Sequence, residues 1–383
     1  MVERVLLIAY PFAGTGANML RYQSFARYLS ENGIMADIIG YYQLKSDLPK
    51  GTRYYQIKKR LTLPFVWYFI RLFVENLFLL QVQSVSQYLN RVALASLTYV
   101  MAMELMKNNN YDACFVGIHP WAFYLIIPLL KKHIQTVLDI GDPLYKNAIT
   151  KKSNYKSNFL FEKRALESAD YVVTMNEPTI TIMTEEMGIA KSKIQFISPA
   201  MNIESYRPNE KKSFSLNKPL RMIYSGSLYQ GYRDLNEVQP AIESLNYVFL
   251  DVFTNISPKN KSSERVKFHD WIPHNDLLRL YQEYDLLLFV DNNFGYQVPS
   301  KIFEIIAQNK PILFVYDKRN VYFYNLLCGQ EGIFFVENNR EKIANLLTKI
   351  SRKQSLDVCY TFDLTPFSEE TVNRKLLTSL IIK

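Results

Sequence analysis

Short apolar runs alternate with amphipathic segments along the whole chain. This alternation is typical of βαβ units, in which parallel strands are buried on both faces and helices cover the sheet. It predicts a first series of strands at Arg4 to Tyr10, Met35 to Tyr41, Tyr111 to Ile118, Thr136 to Ile140, Tyr171 to Met175 and Lys193 to Ile197. A second series is predicted at Arg221 to Ser225, Tyr247 to Phe253, Val266 to Phe268, Asp285 to Val290, Ile312 to Tyr316 and Ile333 to Val336. We therefore predict an α/β protein with two Rossmann-like parallel sheets.

The segment from Pro199 to Pro219 separates the two series. It is rich in Asn, Ser, Lys and Pro and lacks periodicity, so it is interpreted as the interdomain connection. The predicted domains are residues 1–198 and 199–366, followed by a C-terminal helix in 367–383 that returns to the first domain. Parallel sheets bind ligands at the carboxyl ends of their strands, and two facing sheets would share one interdomain cleft. We expect the chemistry at those strand ends.

One stretch, Leu61 to Leu80, has about the length of a membrane span. Arg71 and Glu75 interrupt it and lie four residues apart, so it is predicted to be a very apolar helix with a narrow polar stripe. The favoured interpretation is a helix packed inside the N-terminal domain. An interfacial helix touching lipid is the main alternative, because basic and aromatic residues of 53–68 precede and flank it. A true transmembrane span is the least favoured.

Composition narrows the class of protein. The chain has 383 residues and a formal charge of +9, which favours anionic partners such as phosphates, nucleic acid or anionic lipid. Its three cysteines lie far apart and fit no metal spacing or disulfide framework, which favours a reducing, cytoplasmic location. The lysines are scattered and match no known nucleic-acid-binding module, so nucleic acid is not an expected partner. The N-terminal apolar run is too short for a signal peptide.

Two groups of residues at strand ends in the first half are candidates for a site. Gly14 and Gly16 follow the first predicted strand and precede a helix, where an anion is favoured, although a plain glycine turn explains them too. His119 ends the third predicted strand, and Asp139 and Asp142 end the fourth. The histidine and the carboxylates suit proton transfer or the orientation of a hydroxyl, but each could equally be structural.

The second half contains the strongest block of sequence. Strand, helix, strand, helix and strand follow one another from Val266 to Leu313. Ser300, Lys301 and Glu304 occupy the start of the second of these helices. A lysine there can meet phosphate charge, and a carboxylate can accept hydrogen bonds from sugar hydroxyls.

These residues resemble a known family, the retaining, nucleotide-sugar-dependent glycosyltransferases of family four, which have the two-domain GT-B fold. The likeness covers nearly the whole chain. It depends on the glycine loop, on Leu138 to Pro143, and on three motifs of the second half, which read YSGSL from Tyr224, KFHDWIP from Lys267 and PSKIFEIIA from Pro299.

The resemblance implies roles for individual residues. Glu304 falls on the second glutamate of the family's E-x7-E motif, which holds the ribose of the donor. Ile272, with its neighbours Trp271 and Pro273, falls where the base is held, and His119 falls on a histidine that contacts the transferred sugar. Gly14 and Gly16 match the loop near the donor diphosphate.

Three departures from the family pattern concern the donor. Tyr296 replaces the first glutamate of the motif, so sugar recognition must differ. After Gly226, Ser227 stands where the family often has arginine, and Gln230 where it has lysine. A diphosphate leaving group still needs positive charge, so we predict that Arg233 and Lys301 take over that role.

The resemblance thus predicts transfer of a sugar from a nucleotide diphosphate sugar to a glycan or lipid-linked hydroxyl with retention, in bacterial envelope or capsular polysaccharide synthesis. No metal and no cofactor is expected, because no Asp-x-Asp triplet follows a strand. His119 and Asp142 are the predicted catalytic residues, and an anionic membrane surface is a possible partner. The alternatives are a nucleotide-sugar epimerase or phosphorylase and a catalytically inactive sugar-nucleotide-binding paralogue.

Overall fold

The computed structural model describes residues 2–10, 12, 17–44, 47–58, 61–77, 85–147, 150, 154–201, 203, 206–254 and 262–381. The chain forms two compact units. Unit 1 comprises Met1–Ala200 and Pro366–Lys383, and unit 2 comprises Met201–Thr365.

Unit 1 is built on a seven-stranded parallel sheet with the order β3-β2-β1-β4-β5-β6-β7. Its strands are β1 Arg4–Ile8, β2 Met35–Gly40, β3 Thr52–Gln56, β4 Ala113–Gly117, β5 Gln135–Ile140, β6 Tyr171–Thr174 and β7 Ile194–Phe196. Its first six helices are α1 Ala17–Glu31, α2 Leu63–Glu75, α3 Val85–Asn108, α4 Ile127–Leu130, α5 Tyr155–Ser168 and α6 Glu177–Thr181. The central strands β1 and β4 are buried along their length, apart from Arg4 at the start of β1, which explains their apolar sequences.

Unit 2 contains a six-stranded parallel sheet with the order β11-β10-β9-β12-β13-β14 and a separate antiparallel pair, β8 with β15. Its strands are β8 Lys212–Ser215, β9 Leu220–Ser225, β10 Val248–Phe253, β11 Val266–His269, β12 Leu286–Val290, β13 Ile312–Tyr316, β14 Ile333–Glu337 and β15 Ser355–Val358. Its helices are α7 Val238–Glu243, α8 His274–Tyr281, α9 Lys301–Ile306, α10 Tyr322–Leu327 and α11 Arg340–Ser351. The α/β class with two Rossmann-like parallel sheets is thereby confirmed.

The last helix, α12 Glu369–Ile381, packs on unit 1, against α1. Val372, Leu376 and Leu380 belong to the same buried core as β1 and β4. The Oγ atom of Ser368 accepts a hydrogen bond from the backbone N–H of Thr371 at 3.2 Å, which caps the helix start. The predicted return of the C-terminal helix to the first domain is confirmed.

Three strands, β3, β8 and β15, were not predicted. β15 has the short sequence SLDV, in which only Leu356 and Val358 are buried. β3 forms the edge of the first sheet and has a half-exposed sequence, TRYYQ, without a continuous apolar run. β8 lies inside the segment 199–219 that was interpreted as a connection, and its short, polar sequence KSFS gives little signal. The part of that connection from Lys212 onward is therefore wrong, because β8 belongs to unit 2 and pairs with β15.

The interpretation of 61–80 as a helix packed inside its domain holds for the side of the described helix that contacts α3 and is wrong for its outer side, and residues 78–80 lie outside the described residues. The described helix α2 ends at Glu75, and most of its large apolar side chains are exposed. No helix within the described ranges is both long enough and apolar enough to cross a bilayer.

Candidate active site

In unit 1, His119 and Asp142 lie together at the carboxyl ends of adjacent strands, β4 and β5. The Nε2 atom of His119 lies 3.9 Å from Oδ2 of Asp142, beyond hydrogen-bond distance. Burial lowers the pKa of His119, although the charges of Asp142 and Asp139 act in the opposite direction. Nε2 is buried and has no hydrogen bond to any residue that the structure describes. A neutral imidazole with a free ring nitrogen can accept or donate one hydrogen bond to a substrate hydroxyl. The structure brings the two predicted catalytic residues together, and their catalytic role stays a prediction.

A buried glutamate holds the backbone that follows Asp142. Glu162, on α5, accepts hydrogen bonds from the Tyr124 hydroxyl at 2.7 Å and from the backbone N–H groups of Leu144 and Tyr145 at 3.1 and 2.7 Å. Burial raises the pKa of Glu162 to about 7 even though these three bonds oppose the shift. Glu162 therefore positions the Asp142 loop, a role that periodicity alone does not indicate.

Asp139 has a different role from Asp142. It is fully buried and accepts hydrogen bonds from Arg21 Nε and Nη2 at 3.0 and 3.1 Å. Arg21 also donates to the backbone carbonyl of Ser198 at 2.7 Å. This ion pair ties α1 to β5, so Asp139 is structural. Gly14 and Gly16, predicted to lie near the diphosphate, fall outside the described residues.

In unit 2, polar side chains collect just beyond the carboxyl ends of the parallel strands. Thr254 follows β10, Asp291 and Asn292 follow β12, and Asn338 follows β14. Each has a buried oxygen atom that makes no hydrogen bond within the described parts of the chain: Thr254 Oγ1, Asp291 Oδ2, Asn292 Oδ1 and Asn338 Oδ1. A buried polar atom without a partner costs about 1–3 kcal/mol, so a group of them at one sheet edge indicates a site for a polar ligand.

Asp291 is the most perturbed carboxyl group of this edge. Its side chain is buried, and burial raises its pKa to about 7. The backbone N–H of Asn292, which donates to Asp291 Oδ1 at 2.7 Å, and the charge of Arg233 oppose that shift. Sequence reasoning missed Asp291. The available signal was the polar run DNN directly after the apolar strand LLLFV.

The two predicted substitute cations lie close to one tyrosine. Burial raises the pKa of Tyr224 to about 12, while the charges of Arg233 and Lys301 both lower it. Arg233 is held by two backbone hydrogen bonds with Tyr229, at 2.7 and 2.8 Å, and its guanidinium carbon lies 5.6 Å from the centroid of that ring. Arg233 Nε is buried and has no described hydrogen-bond acceptor. The structure therefore brings Arg233 and Lys301 to the same region of unit 2, with a donor group available.

Glu304 forms an ionic cluster with His274 and Lys301. His274 Nε2 lies 3.1 Å from Glu304 Oε2, and Lys301 Nζ lies 3.3 Å from Oε1. Burial would raise the pKa of Glu304, but the hydrogen bond from His274 and the charge of Lys301 outweigh it and hold the pKa below its usual range. The same hydrogen bond raises the pKa of His274. Glu304 is thus an acceptor whose ionised form is favoured by its hydrogen bond with His274 and by the charge of Lys301. His274 was not predicted, although it directly follows the WIP sequence.

Gly226 and Ser227 follow β9, as the motif predicts. Gly226 has φ +154°, and a Cβ atom there would lie 3.2 Å from the Tyr224 hydroxyl oxygen, so a side chain is disfavoured. Its N–H donates to the Phe253 carbonyl at 3.0 Å. The Ser227 carbonyl accepts from the Tyr224 hydroxyl at 3.4 Å.

The remaining predicted donor residues lie on two segments of unit 2. Ile272 is half-buried between β11 and α8, next to the half-exposed Trp271. Tyr296 is half-buried in the segment after β12, and Ser300 immediately precedes α9. All these residues follow the carboxyl ends of β11 or β12, and their binding roles stay predictions.

A cavity of about 510 Å³ lies elsewhere, in unit 1. It is lined by residues of β3, α2 and α3, among them Tyr55, Phe65 and Met101. Because β3 is three strands away from β4 in the sheet order, this cavity is separate from His119. Within the described residues, no group of three or more His, Cys, Asp or Glu side chains is arranged to hold a metal ion. Metal independence remains a prediction.

Comparisons with known proteins support the fold. No family model and no curated protein matches the sequence. Among solved structures, the chain is similar to HepE from Anabaena, crystallised with UDP and glucose, with a TM-score of 0.66 and 12% identity over 100% of both chains. It is also similar to WaaG, a glycosyltransferase of lipopolysaccharide biosynthesis, with a TM-score of 0.61 and 15% identity over 98% of this chain and 95% of that one. A glycosyltransferase from Rickettsia africae gives a TM-score of 0.60 and 16% identity over 99% and 94%.

The chain has the GT-B fold. The predicted resemblance is confirmed at this level, and retention stays a prediction. In the GT-B fold of this chain, the described donor-site candidates all belong to unit 2, whereas His119 and Asp142 belong to unit 1.

Proposed function

We propose that the protein is a glycosyltransferase that moves a sugar from a nucleotide diphosphate sugar to a hydroxyl group. The observation that carries the proposal is the polar edge of unit 2, where Asp291, Asn292, Arg233 and Glu304 lie on a GT-B fold. HepE, which shares this fold, was crystallised with UDP-glucose, and that supports a nucleotide-sugar donor.

The donor would be held by unit 2. Glu304, kept ionised by His274 and Lys301, would accept hydrogen bonds from the ribose hydroxyls. Arg233 and Lys301 would face the diphosphate, whose negative charge grows as the glycosidic bond to the leaving phosphate breaks. Cations that are already in place stabilise that charge without moving during the reaction. This stabilisation would be the main catalytic contribution of unit 2.

The acceptor would be a glycan or lipid-linked saccharide of an envelope or capsular polysaccharide, used in the cytoplasm or at a membrane surface. His119 and Asp142 of unit 1 would orient the transferred sugar and the incoming hydroxyl. Transfer with retention is part of the proposal and follows from the family resemblance.

The first experiment measures binding of the donor. UDP, GDP, ADP and their glucose derivatives are added to the purified chain, and the melting temperature is recorded. A ligand that binds the folded state at about a hundred times its Kd adds about 2.7 kcal/mol of stability, so one nucleotide should raise the midpoint clearly.

Glu304→Gln should then weaken binding of that nucleotide about tenfold to a hundredfold, since hydrogen bonds to a charged group contribute about 1.5–3 kcal/mol. Glu283→Gln, an exposed carboxylate of the same unit, is the matched control and should bind normally. The donor proposal is wrong if no nucleotide shifts the midpoint, or if both variants bind alike.

A nucleotide-sugar epimerase is the second candidate. The fold is also shared, with a TM-score of 0.54 and 12% identity, by a putative UDP-N-acetylglucosamine 2-epimerase from Listeria monocytogenes. NMR of UDP-N-acetylglucosamine incubated with the enzyme separates the candidates, because an epimerase inverts C2 without an acceptor. A transferase without an acceptor releases UDP and free sugar slowly. When phosphate is added, a phosphorylase forms sugar 1-phosphate, whereas a transferase does not. Binding without any turnover would identify an inactive paralogue.

A further inference from the structure

Helix α2 exposes one continuous apolar face. Leu63, Val66, Trp67, Ile70 and Val74 follow one another at intervals of three or four residues, which places them on one side of the helix. All five are exposed, with Leu63 at 87% and Trp67 at 66% of their accessible surface. Leu61 and Leu77, which flank the helix in the sequence, and Val85 and Leu89 of α3 are exposed as well.

The opposite side of the same helix packs on α3, where the rings of Tyr68 and Phe73 contact those of Tyr99 and Tyr88. Polar contacts lie at the border of this packing. Arg71 Nε lies 2.8 Å from Glu75 Oε1. From α5, Arg164 donates to the Asn76 side chain at 3.1 Å and to Glu75 at 3.4 Å. Leu72 is buried on this side. Helix α2 is therefore apolar on two sides: its inner side packs on α3, and its outer side exposes an apolar stripe of the kind that faces the core in a water-soluble domain.

An apolar strip of this kind indicates an apolar environment outside the chain, because soluble monomers rarely expose large contiguous apolar patches. The hydrogen bonds of Arg164 fix the orientation, so rotation of α2 toward the core would break them. The choice of partner depends on charge. The sequence places Lys58, Lys59 and Arg60 directly before α2, and the whole chain carries +9.

These charges favour an anionic lipid surface over a second copy of the chain. A two-fold contact through α2 would bring two basic segments and two positively charged chains together. An anionic bilayer attracts the same groups, and Trp67 suits the boundary between headgroups and acyl chains.

We propose that α2 lies flat in the headgroup region of an anionic membrane with its apolar face in the acyl chains. The purpose of this contact, access to a lipid-linked acceptor, rests on the proposed function, whereas the contact itself rests on α2. Interfacial helices that combine an apolar face with basic flanks typically lie in this position in a membrane.

Vesicle flotation tests the proposal. The full chain is mixed with vesicles of phosphatidylcholine containing phosphatidylglycerol, or of phosphatidylcholine alone. We expect the protein to float with the anionic vesicles at low salt, and less at about 1 M salt, where the Debye length is about 3 Å. Trp67→Ser/Ile70→Ser should float at least about tenfold less. The control, Val321→Ser/Leu326→Ser, removes two exposed apolar residues of unit 2 and should float like the wild type.

Two further measurements distinguish a loss of membrane binding from a loss of folding or of nucleotide binding. The Trp67→Ser/Ile70→Ser variant should keep the wild-type melting temperature and the wild-type response to nucleotide, because unit 2 is unchanged. The membrane proposal is overturned if the wild type does not float, if both double variants float equally, or if Trp67→Ser/Ile70→Ser instead converts a dimer to a monomer in light scattering. A failed nucleotide response with intact flotation would remove the proposed function and leave the membrane contact.

Discussion

The side chain of Asp291 is a buried carboxyl group at the carboxyl end of β12. Its Oδ1 atom accepts a hydrogen bond from the Asn292 N–H, and its Oδ2 atom has no described partner. Such a group is costly to ionise, and its pKa of about 7 shows that burial dominates over the nearby Arg233 charge. Near neutral pH it can change between a hydrogen-bond donor and an acceptor.

The pH dependence of stability tests this assignment. Between the usual value of 3.8 and about 7, the folded protein keeps a proton that the unfolded chain releases, so this group makes stability fall as pH rises and the loss levels off above about 7. Asp291→Asn removes the loss. The melting temperature of the variant relative to the wild type should therefore be higher at pH 8 than at pH 5. Asp276→Asn, an exposed aspartate, should show no such difference, and a difference for Asp291→Asn that does not depend on pH would contradict the burial argument.

Single residues also show how far sequence reasoning reaches. Glu304, Lys301, His119 and Asp142 were predicted because motif and strand-end position suffice to find them. Arg21 was not predicted, because its partner lies 118 positions away and nothing local signals the pair. An ion pair across a sheet depends on strand order, which periodicity does not supply.

At the scale of elements, all but three strands were predictable, including the edge strands β7, β11 and β14. The twelve predicted strands exist with ends within about two residues of the observed ones, because most of them contain a buried apolar run. β3, β8 and β15 are short and partly solvated, and they lack that signal. The orientation of α2 was also inaccessible, since an amphipathic pattern does not say which face turns to the protein. That orientation is set by packing on α3 and by contacts with Arg164, 89 residues beyond Glu75.

The Arg21–Asp139 pair gives an element-scale prediction, because it joins α1 to β5 in the interior of unit 1. Arg21→Met leaves a buried carboxylate without its cation, which should cost about 3–5 kcal/mol in the free energy of unfolding. The double variant Arg21→Met/Asp139→Leu should recover most of that loss, because it buries no unpaired charge. Urea denaturation followed by circular dichroism measures both. A double variant as unstable as Arg21→Met alone would show that the cost comes from packing and not from charge.

At the scale of the whole molecule, the proposed chemistry assigns charge stabilisation to Arg233 and Lys301 in place of a metal ion. Turnover of the nucleotide sugar should then be unchanged by EDTA and should not rise with added Mg²⁺ or Mn²⁺. The measurement is release of nucleoside diphosphate at saturating donor. A tenfold loss on chelation that the metal restores would mean that the diphosphate is neutralised by a bound ion.

The position of α12 bears on how the chain is made. Val372, Leu376 and Leu380 complete a core whose other members were synthesised before residue 200. During synthesis on the ribosome, the first half of the chain therefore cannot complete its core until the second half has been translated. Until then, part of its interior is exposed to water. Premature termination anywhere after residue 200 would leave that interior uncovered and hand the nascent product to chaperones or proteases.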